Sequence, residues 1–350
     1  DRVEGRVLFI PLYWMNKRIR ASWWKRPLLE IMNTWKTWKG HRFQQMITGF
    51  IHTHSINLIH TSTILNPEGA IAAKRNNIPH VWHVRELIGP DKHFQFYNYS
   101  GWTAYVLQRC YRLIANSQVT RQCLEQFFPA EKIVYIPNGI EVADFLLKEH
   151  KTFSTLVVAM VGSITTRWKN HGLFIDVAAL FSDRKEIEFR IYGALPSEDD
   201  EYYRYLKNKI AATEGKTKVV FMDFAQKPSQ IMQEIDVLFH PTPFESFGRI
   251  YVEALAAGIP VIAPDEGGAL EMVKEGVNGF LFRTGNAVDA KEKIEKLIDD
   301  PELRNDIGKR GRNLVEKEYT IGLLAERMET IYRRALSETT HYLSSNENIL

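Results

Sequence analysis

The stretch Pro243-Phe-Glu-Ser-Phe-Gly-Arg-Ile-Tyr-Val-Glu-Ala-Leu-Ala-Ala-Gly-Ile-Pro-Val-Ile-Ala-Pro264 carries, in order, a loop, a short helix, a stop and a buried strand. Arg249 to Ala257 are residues that tolerate a helix, Gly258 ends it, and Pro260-Val-Ile-Ala263 supplies the apolar run of a strand. Gly248, just before the helix, lets the backbone approach a ligand closely, so the unpaired N–H groups of the first turn point at whatever sits above them. Those amides and the helix dipole favour an anion such as a diphosphate. Glu245 and Glu253 are acceptors when ionised, which leaves them for hydroxyl groups rather than phosphate. The combination reads as a grip on a nucleotide sugar, although two acids eight apart also describe a solvated pair on a helix face.

Working outward, Leu156-Val-Val-Ala-Met-Val-Gly162, Phe189-Arg-Ile-Tyr-Gly193, Val219-Val-Phe-Met222, Val237-Leu-Phe-His240 and Val261-Ile-Ala263 each read as a buried strand, with a helical segment between successive runs. That is the rhythm of a doubly wound α/β domain, whose ligand lies at the C-terminal ends of the strands. The first half repeats it: strands at Arg6-Val-Leu-Phe-Ile10, Asn57-Leu-Ile-His-Thr61, His80-Val-Trp-His-Val84 and Ile133-Val-Tyr-Ile136, a helix from Pro67 to Asn77, and further elements within Thr103 to Ala115 and Val119 to Phe128. The polar Lys148-Glu-His-Lys151 reads as the linker, so the predicted domains are 1–148 and 151–325.

At 350 residues, 45% apolar and 25% charged, the chain has the size and composition of two soluble globular domains. Residues 1–150 carry 19 Lys and Arg against 11 Asp and Glu, and the remainder carries 26 against 31. A basic first half suits an anionic acceptor or a membrane surface, and equally a solubility pattern with no partner. The two cysteines, Cys110 and Cys123, the lack of a secretory h-region at the start and the lack of any run near the ~20 apolar residues of a membrane span predict a cytoplasmic protein. No Asp-x-Asp occurs, and Glu198-Asp-Asp-Glu201 reads as a solvated helix start, so no metal is expected. No nucleic-acid partner and no bound cofactor is expected either.

The spacing Glu245 to Glu253, with Ser246-Phe247-Gly248 after the first acid and Ala-Leu-Ala-Ala-Gly-Ile-Pro after the second, resembles the E-x7-E signature of retaining GT-B glycosyltransferases, family 4 (group 1) in particular. The resemblance implies the GT-B fold, an α/β architecture of two Rossmann-like domains facing a cleft. It implies a UDP- or GDP-linked sugar donor on the second domain and a glycan or lipid-linked acceptor on the first. In that family the first glutamate approaches the donor hexose, the Phe-Gly amides contact sugar and phosphate, and the second glutamate binds the ribose diol. Glu245, Ser246, Phe247, Gly248, Arg249, Ile250 and Glu253 take those places here.

Val161-Gly-Ser-Ile-Thr-Thr-Arg-Trp-Lys-Asn-His171 resembles the family's loop after the first strand of the donor domain. It places Gly162, Ser163 and Arg167 near the donor and Lys169 at the departing phosphate, where a fixed cation lowers the barrier more than it stabilises the bound donor. By itself Lys169 also reads as a solvated loop lysine. Ser163 stands where the family has an arginine, and Arg167 is the cation nearby in sequence that would replace it. Phe221-Met-Asp-Phe224 occupies the nucleobase stretch, with Phe224 as base platform or core. Ile136-Pro-Asn-Gly-Ile140 resembles the segment at the interdomain cleft, which gives Asn138 and Gly139 that place. Gly267-Gly268 are expected to approach the donor, with Glu271 structural. The amphipathic Ile321 to Leu336 begins a terminal helix, and 326–350 is expected to cross back to the first domain.

On the acceptor side, the family's histidine slot counted from Pro79 holds Arg85, with Glu86 next and His83 two residues before. An arginine is no base at neutral pH, so a proton acceptor here is Glu86 or His83, unless the departing phosphate takes the proton itself. His83 also reads as a satisfied core histidine. Trp14 to Arg42 holds five of the eight tryptophans and eight Lys and Arg against Glu30 alone. That chemistry suits an anionic membrane surface, and equally a core helix with a solvated basic face. The first residues resemble the family's third strand, so the first domain is expected to be one βαβ unit short. A non-catalytic nucleotide-sugar-binding subunit and a GT-B sugar-nucleotide epimerase therefore stand beside the transferase as readings.

Overall fold

Short apolar runs joined through helices cannot pair as tight hairpins, and every strand pairing among the described residues is parallel. The computed structural model describes residues 44–63, 68–88, 110–148, 155–213, 218–223 and 227–346. The expected strand at Arg6 to Ile10, the Trp14 to Arg42 segment and Phe224 lie outside them. Contacts gather the chain into two units, one comprising residues up to Asn116, Thr120–Ile136 and Arg327 onward, the other Ser117–Val119 and Pro137–Glu326.

In the first unit β1 (Ile59–Thr61), β2 (His80–Val84), β3 (Arg112–Ala115) and β4 (Ile133–Tyr135) form one sheet in that order. All five residues of β2 are buried, as a central parallel strand requires. Trp82 is fully enclosed, and its Nε1 donates to Thr63 O at 2.6 Å, so the indole's one polar atom is satisfied. The helix Glu68–Arg75 covers this sheet with Ala70, Ile71, Ala72 and Ala73.

The second unit holds β5 (Leu156–Val161), β6 (Ile187–Tyr192), β7 (Lys218–Met222), β8 (Val237–Phe239), β9 (Val261–Pro264) and β10 (Gly279–Phe282), in the spatial order β10-β9-β8-β5-β6-β7. The chain runs outward from β5 to β7 and then returns to lay β8 against the other side of β5. Strand order therefore reverses between β5 and β8, the place where open parallel sheets bind ligands at their C-terminal ends. One face of the sheet is filled by Phe174, Phe181, Phe189, Phe239 and Phe282, whose rings stand 5.4–5.7 Å apart in successive pairs. The other face packs under the helix Arg249–Ala256, with Tyr251, Val252, Ala254 and Leu255 fully buried. The helix Pro301–Glu318 lies against that helix so closely that a Cβ on Gly308 would sit 2.1 Å from Gly258 O.

The polar run at Lys148 is not where contacts divide the chain. Pro137 to Lys148 belongs to the second unit. Ile140 N donates to Tyr319 O at 2.9 Å, Phe145 is buried in the second core, and Lys148 pairs with Asp236 at 2.9 Å while donating to Ile235 O at 2.7 Å. Lys148 is thus a fastening rather than a free linker charge. β10 is a strand that the hydrophobic runs did not single out, because only four residues of it pair, at the edge beside β9. The terminal helix runs Ile321–Asn346, and among the described residues no helix is long and apolar enough to cross a membrane.

Candidate functional site

Two loops meet where the strand order reverses. The first leaves β5 through Gly162 and a 3-10 turn, Arg167–Lys169, and enters the helix His171–Ala179 through Asn170 at φ +61°, a left-handed conformation that asparagine tolerates. The second leaves β8 through His240-Pro241-Thr242. Side chains tie the loops together: Thr242 Oγ1 donates to Lys169 O at 3.2 Å and Asn170 Nδ2 to Pro241 O at 3.4 Å.

The ties bring Lys169 Nζ onto Glu245 Oε1 as an ion pair whose side chains are 20% and 17% exposed. The pair is therefore largely shielded yet open to a ligand. Below it lies His240, with Nε2 3.3 Å from Glu245 Oε1 and 3.0 Å from Thr242 Oγ1. Burial pushes the Glu245 carboxyl up, but the hydrogen bond from His240 and the charge of Lys169 outweigh it and hold the group down at about 2. The site is built around a carboxylate that is ionised at any physiological pH. Burial pushes His240 below the ordinary histidine range against the pull of Glu245, so its ring is neutral.

The helix Arg249–Ala256 starts at Gly248, whose φ of +78° is the left-handed region; a Cβ there would meet the Tyr251 ring at 2.3 Å. No side chain caps this end; Tyr251 N turns back to Gly248 O at 2.9 Å, so the amides of Arg249 and Ile250 are the first-turn donors that a ligand could meet. Glu253 is buried in the same helix and bonded to Arg249 Nε at 2.8 Å; burial raises its carboxyl and Arg249 opposes the rise. Phe247 is buried against Tyr319 at 6.0 Å between centroids, so its side chain belongs to the core. Gly267 and Gly268, expected at the donor, pack against the loop that carries Glu245. Gly268 N donates to Glu245 O at 2.8 Å, and Cβ atoms on the two glycines would crowd the carbonyls of Glu245, Ser246 and Phe247 at 2.8–2.9 Å.

Of the remaining expected residues, Gly162 lies beside the ion pair, where a Cβ on it would stand 3.6 Å from Lys169 Cδ and 3.8 Å from His240 Cε1, and the others stand apart from it. Gly162 N donates to Tyr192 O at 2.9 Å, continuing the β5–β6 ladder, and Ser163 Oγ bonds Thr165 Oγ1 at 3.1 Å. Arg167 lies over the Tyr202 ring at 5.3 Å and pairs with Glu201 at 3.4 Å, an exposed pair turned to a different neighbour from Lys169. Asn138 and Gly139 belong to the second unit; a Cβ on Gly139 would lie 2.4 Å from Thr320 O, so close backbone packing accounts for that glycine. In the first unit His83 is 2% exposed, stacks on His60 at 5.6 Å and keeps Nε2 buried without a partner. Burial, then Arg85 and His60, hold its pKa at about 3. Arg85 is exposed, while Glu86 accepts from Thr63 Oγ1 and from Arg85 N at 3.1 Å, which occupies it as a brace of the turn.

Sequence reasoning missed His240 and Thr242. Val237-Leu-Phe-His240 reads as one apolar strand, and the polar end of that run was the available signal.

Residues 8–144 match the family described as Glycosyltransferase Family 4, and residues 147–314 match that described as Glycosyl transferases group 1. The capsular polysaccharide biosynthesis glycosyltransferase CapM of Staphylococcus aureus is 30% identical over 213 residues, 58% of this chain and 54% of CapM, so the match spans about half of that relative. The uncharacterized glycosyltransferase MJ1178 of Methanocaldococcus jannaschii is 26% identical over 76% of this chain and 72% of its own length. Among solved structures, Anabaena Alr3699/HepE in complex with UDP and glucose superposes with a TM-score of 0.71 at 24% identity, over 83% of this chain and 81% of that one. At that identity the likeness is one of fold.

Proposed function

The chain belongs to the group 1 glycosyltransferases of family 4 type, and from that membership we propose that it transfers a hexose from a nucleoside-diphosphate sugar to a glycan or lipid-linked acceptor, with retention at the anomeric carbon. The observation that carries the reading is the Lys169–Glu245 pair at the strand-order reversal, in the loop that leads into an uncapped helix. The amides after Gly248 meet the diphosphate, Glu245 meets a hexose hydroxyl and Glu253 the ribose. The bond from the anomeric carbon to the diphosphate oxygen breaks with its electron pair on that oxygen, where Lys169 stabilises the growing charge. The acceptor oxygen bonds to the same face of the carbon and its proton passes to the departing phosphate, so no protein base is needed. That Glu86 is already bonded and His83 is buried with a strongly depressed pKa supports this route.

UDP is the first donor base to test, because the Anabaena neighbour holds UDP and glucose; CapM's role in capsular polysaccharide biosynthesis supports a polysaccharide product. A lysine and helix amides facing the diphosphate support transfer without a metal. The Trp14 to Arg42 composition supports peripheral docking on an anionic membrane, read by salt-sensitive co-sedimentation with anionic liposomes. The deciding experiment incubates the protein with labelled UDP-glucose and GDP-mannose. Slow release of free sugar that Glu245→Ala and Lys169→Ala abolish is expected. Binding without consumption points to a subunit, altered sugar stereochemistry to an epimerase, and no binding of either compound overturns the reading.

A further inference from the structure

His240 has no part in the steps above, yet the site is built on it. It is fully buried at the end of β8, edge-on to Tyr251 at 5.6 Å, and its Nδ1 is enclosed with no partner. Its Nε2 faces two oxygens, Thr242 Oγ1 and Glu245 Oε1. Thr242 gives its own proton to Lys169 O, so toward His240 it is an acceptor. A single ring proton on Nε2 satisfies both oxygens, whereas a proton on Nδ1 would be a buried donor with no acceptor, which is costly. The ring is the neutral Nε2–H tautomer. The other titratable groups around it are Lys169 and His171 from the segment after β5, Glu245 from the loop after β8 and Tyr251 from the helix that follows. Burial keeps His171 and Tyr251 neutral, which leaves Lys169, among the described residues, as the cation competing for Glu245.

Both Lys169 and His240 contact Oε1 of Glu245, so Oε2 is the atom left to a ligand. A diphosphate arriving beside this pair carries more negative charge than one carboxylate and draws the ammonium toward itself. The imidazole, walled in and uncharged, stays. We propose that His240 is a positioning residue for the transfer: it holds Oε1 of Glu245 while Lys169 passes to the departing diphosphate, so that Oε2 stays aimed at the donor hexose. This rests on the donor-site reading above.

The test compares wild type with His240→Leu and His240→Gln, the latter keeping an N–H near the place of Nε2. ¹⁵N imidazole spectra of the wild type are expected to show the Nε2–H tautomer at pH 7 to 8. In His240→Leu the Glu245 carboxyl, followed by ¹³C NMR, titrates at higher pH than in wild type, because a donor to the ionised form is gone. Calorimetric affinity for UDP stays within about twofold, while UDP-glucose turnover falls by about ten- to a hundredfold, the size of one hydrogen bond to a charged group. His240→Gln recovers most of that loss. An Nδ1–H ring, an unmoved Glu245 titration, or turnover in a folded His240→Leu protein within threefold of wild type overturns the proposal. If the wild type consumes no nucleotide sugar, the functional reading fails separately, and the two spectra still decide the role of His240.

Discussion

Replacing Lys169 by methionine removes a charge and little volume, and its effects on stability and on turnover separate. A glutamate held at about 2, where its ordinary value is 4.5, is stabilised in its ionised form by about 3 kcal/mol in the folded protein. Burial opposes that stabilisation, and His240 and Lys169 supply it together, so loss of Lys169 alone is expected to cost about 1–2 kcal/mol at pH 7. Because the folded value is depressed, the contribution is present above about pH 4.5 and is lost as pH falls toward 2. Urea unfolding should therefore show a gap between wild type and Lys169→Met that is steady from pH 7 to 5 and narrows below pH 4. Turnover of the donor should fall by about 10²–10³, as for loss of one preorganised group facing a developing negative charge. A gap in unfolding free energy that ignores pH would refute the coupling of Lys169 to Glu245. Turnover within threefold of wild type would refute the role of the cation.

Gly248→Ala forces a Cβ into the Tyr251 ring at a left-handed position and is expected to cost about 1–3 kcal/mol, together with donor affinity; thermal melts and UDP calorimetry read the two effects. Gly308→Ala pushes the helix Pro301–Glu318 off Gly258 and should destabilise by at least about 2 kcal/mol in urea while leaving UDP affinity per folded molecule unchanged. Donor consumption should be the same in excess EDTA as in magnesium; strict dependence on the metal would show that the diphosphate is not met by protein groups alone.

The strands were legible because a parallel sheet buried on both faces is written as short continuous apolar runs, and Leu156 to Val161 or His80 to Val84 announce themselves that way. β10 did not, because Gly279-Phe-Leu-Phe282 is brief and is defined by β9 beside it. The donor loop was legible as a glycine before a helix flanked by acids. What joins Lys169 to Glu245 was not, since their contact exists only because β8 returns beside β5. His240 hid for the same reason: a histidine ending an apolar strand acquires meaning from the Thr242 and Glu245 that fold over it. Gly267 and Gly268 were placed at the donor by resemblance, and their packing against the carbonyls of Glu245, Ser246 and Phe247 was not legible in the sequence. The linker at Lys148 was read from polarity, and polarity alone did not reveal that Asp236 holds it.

The groups that make the ion pair stand 76 residues apart, and among the described residues four strands and three α-helices are added between the start of β5 and the end of β8. A nascent chain emerging from the ribosome therefore carries Lys169 without its counter-charge for 76 residues of synthesis. Its counter-charge arrives only after β8 has inserted at the centre of the sheet, a late event of high contact order. Formation of the pair is thus coupled to the docking of β8 beside β5, and a chain truncated before β8 would retain the lysine without Glu245.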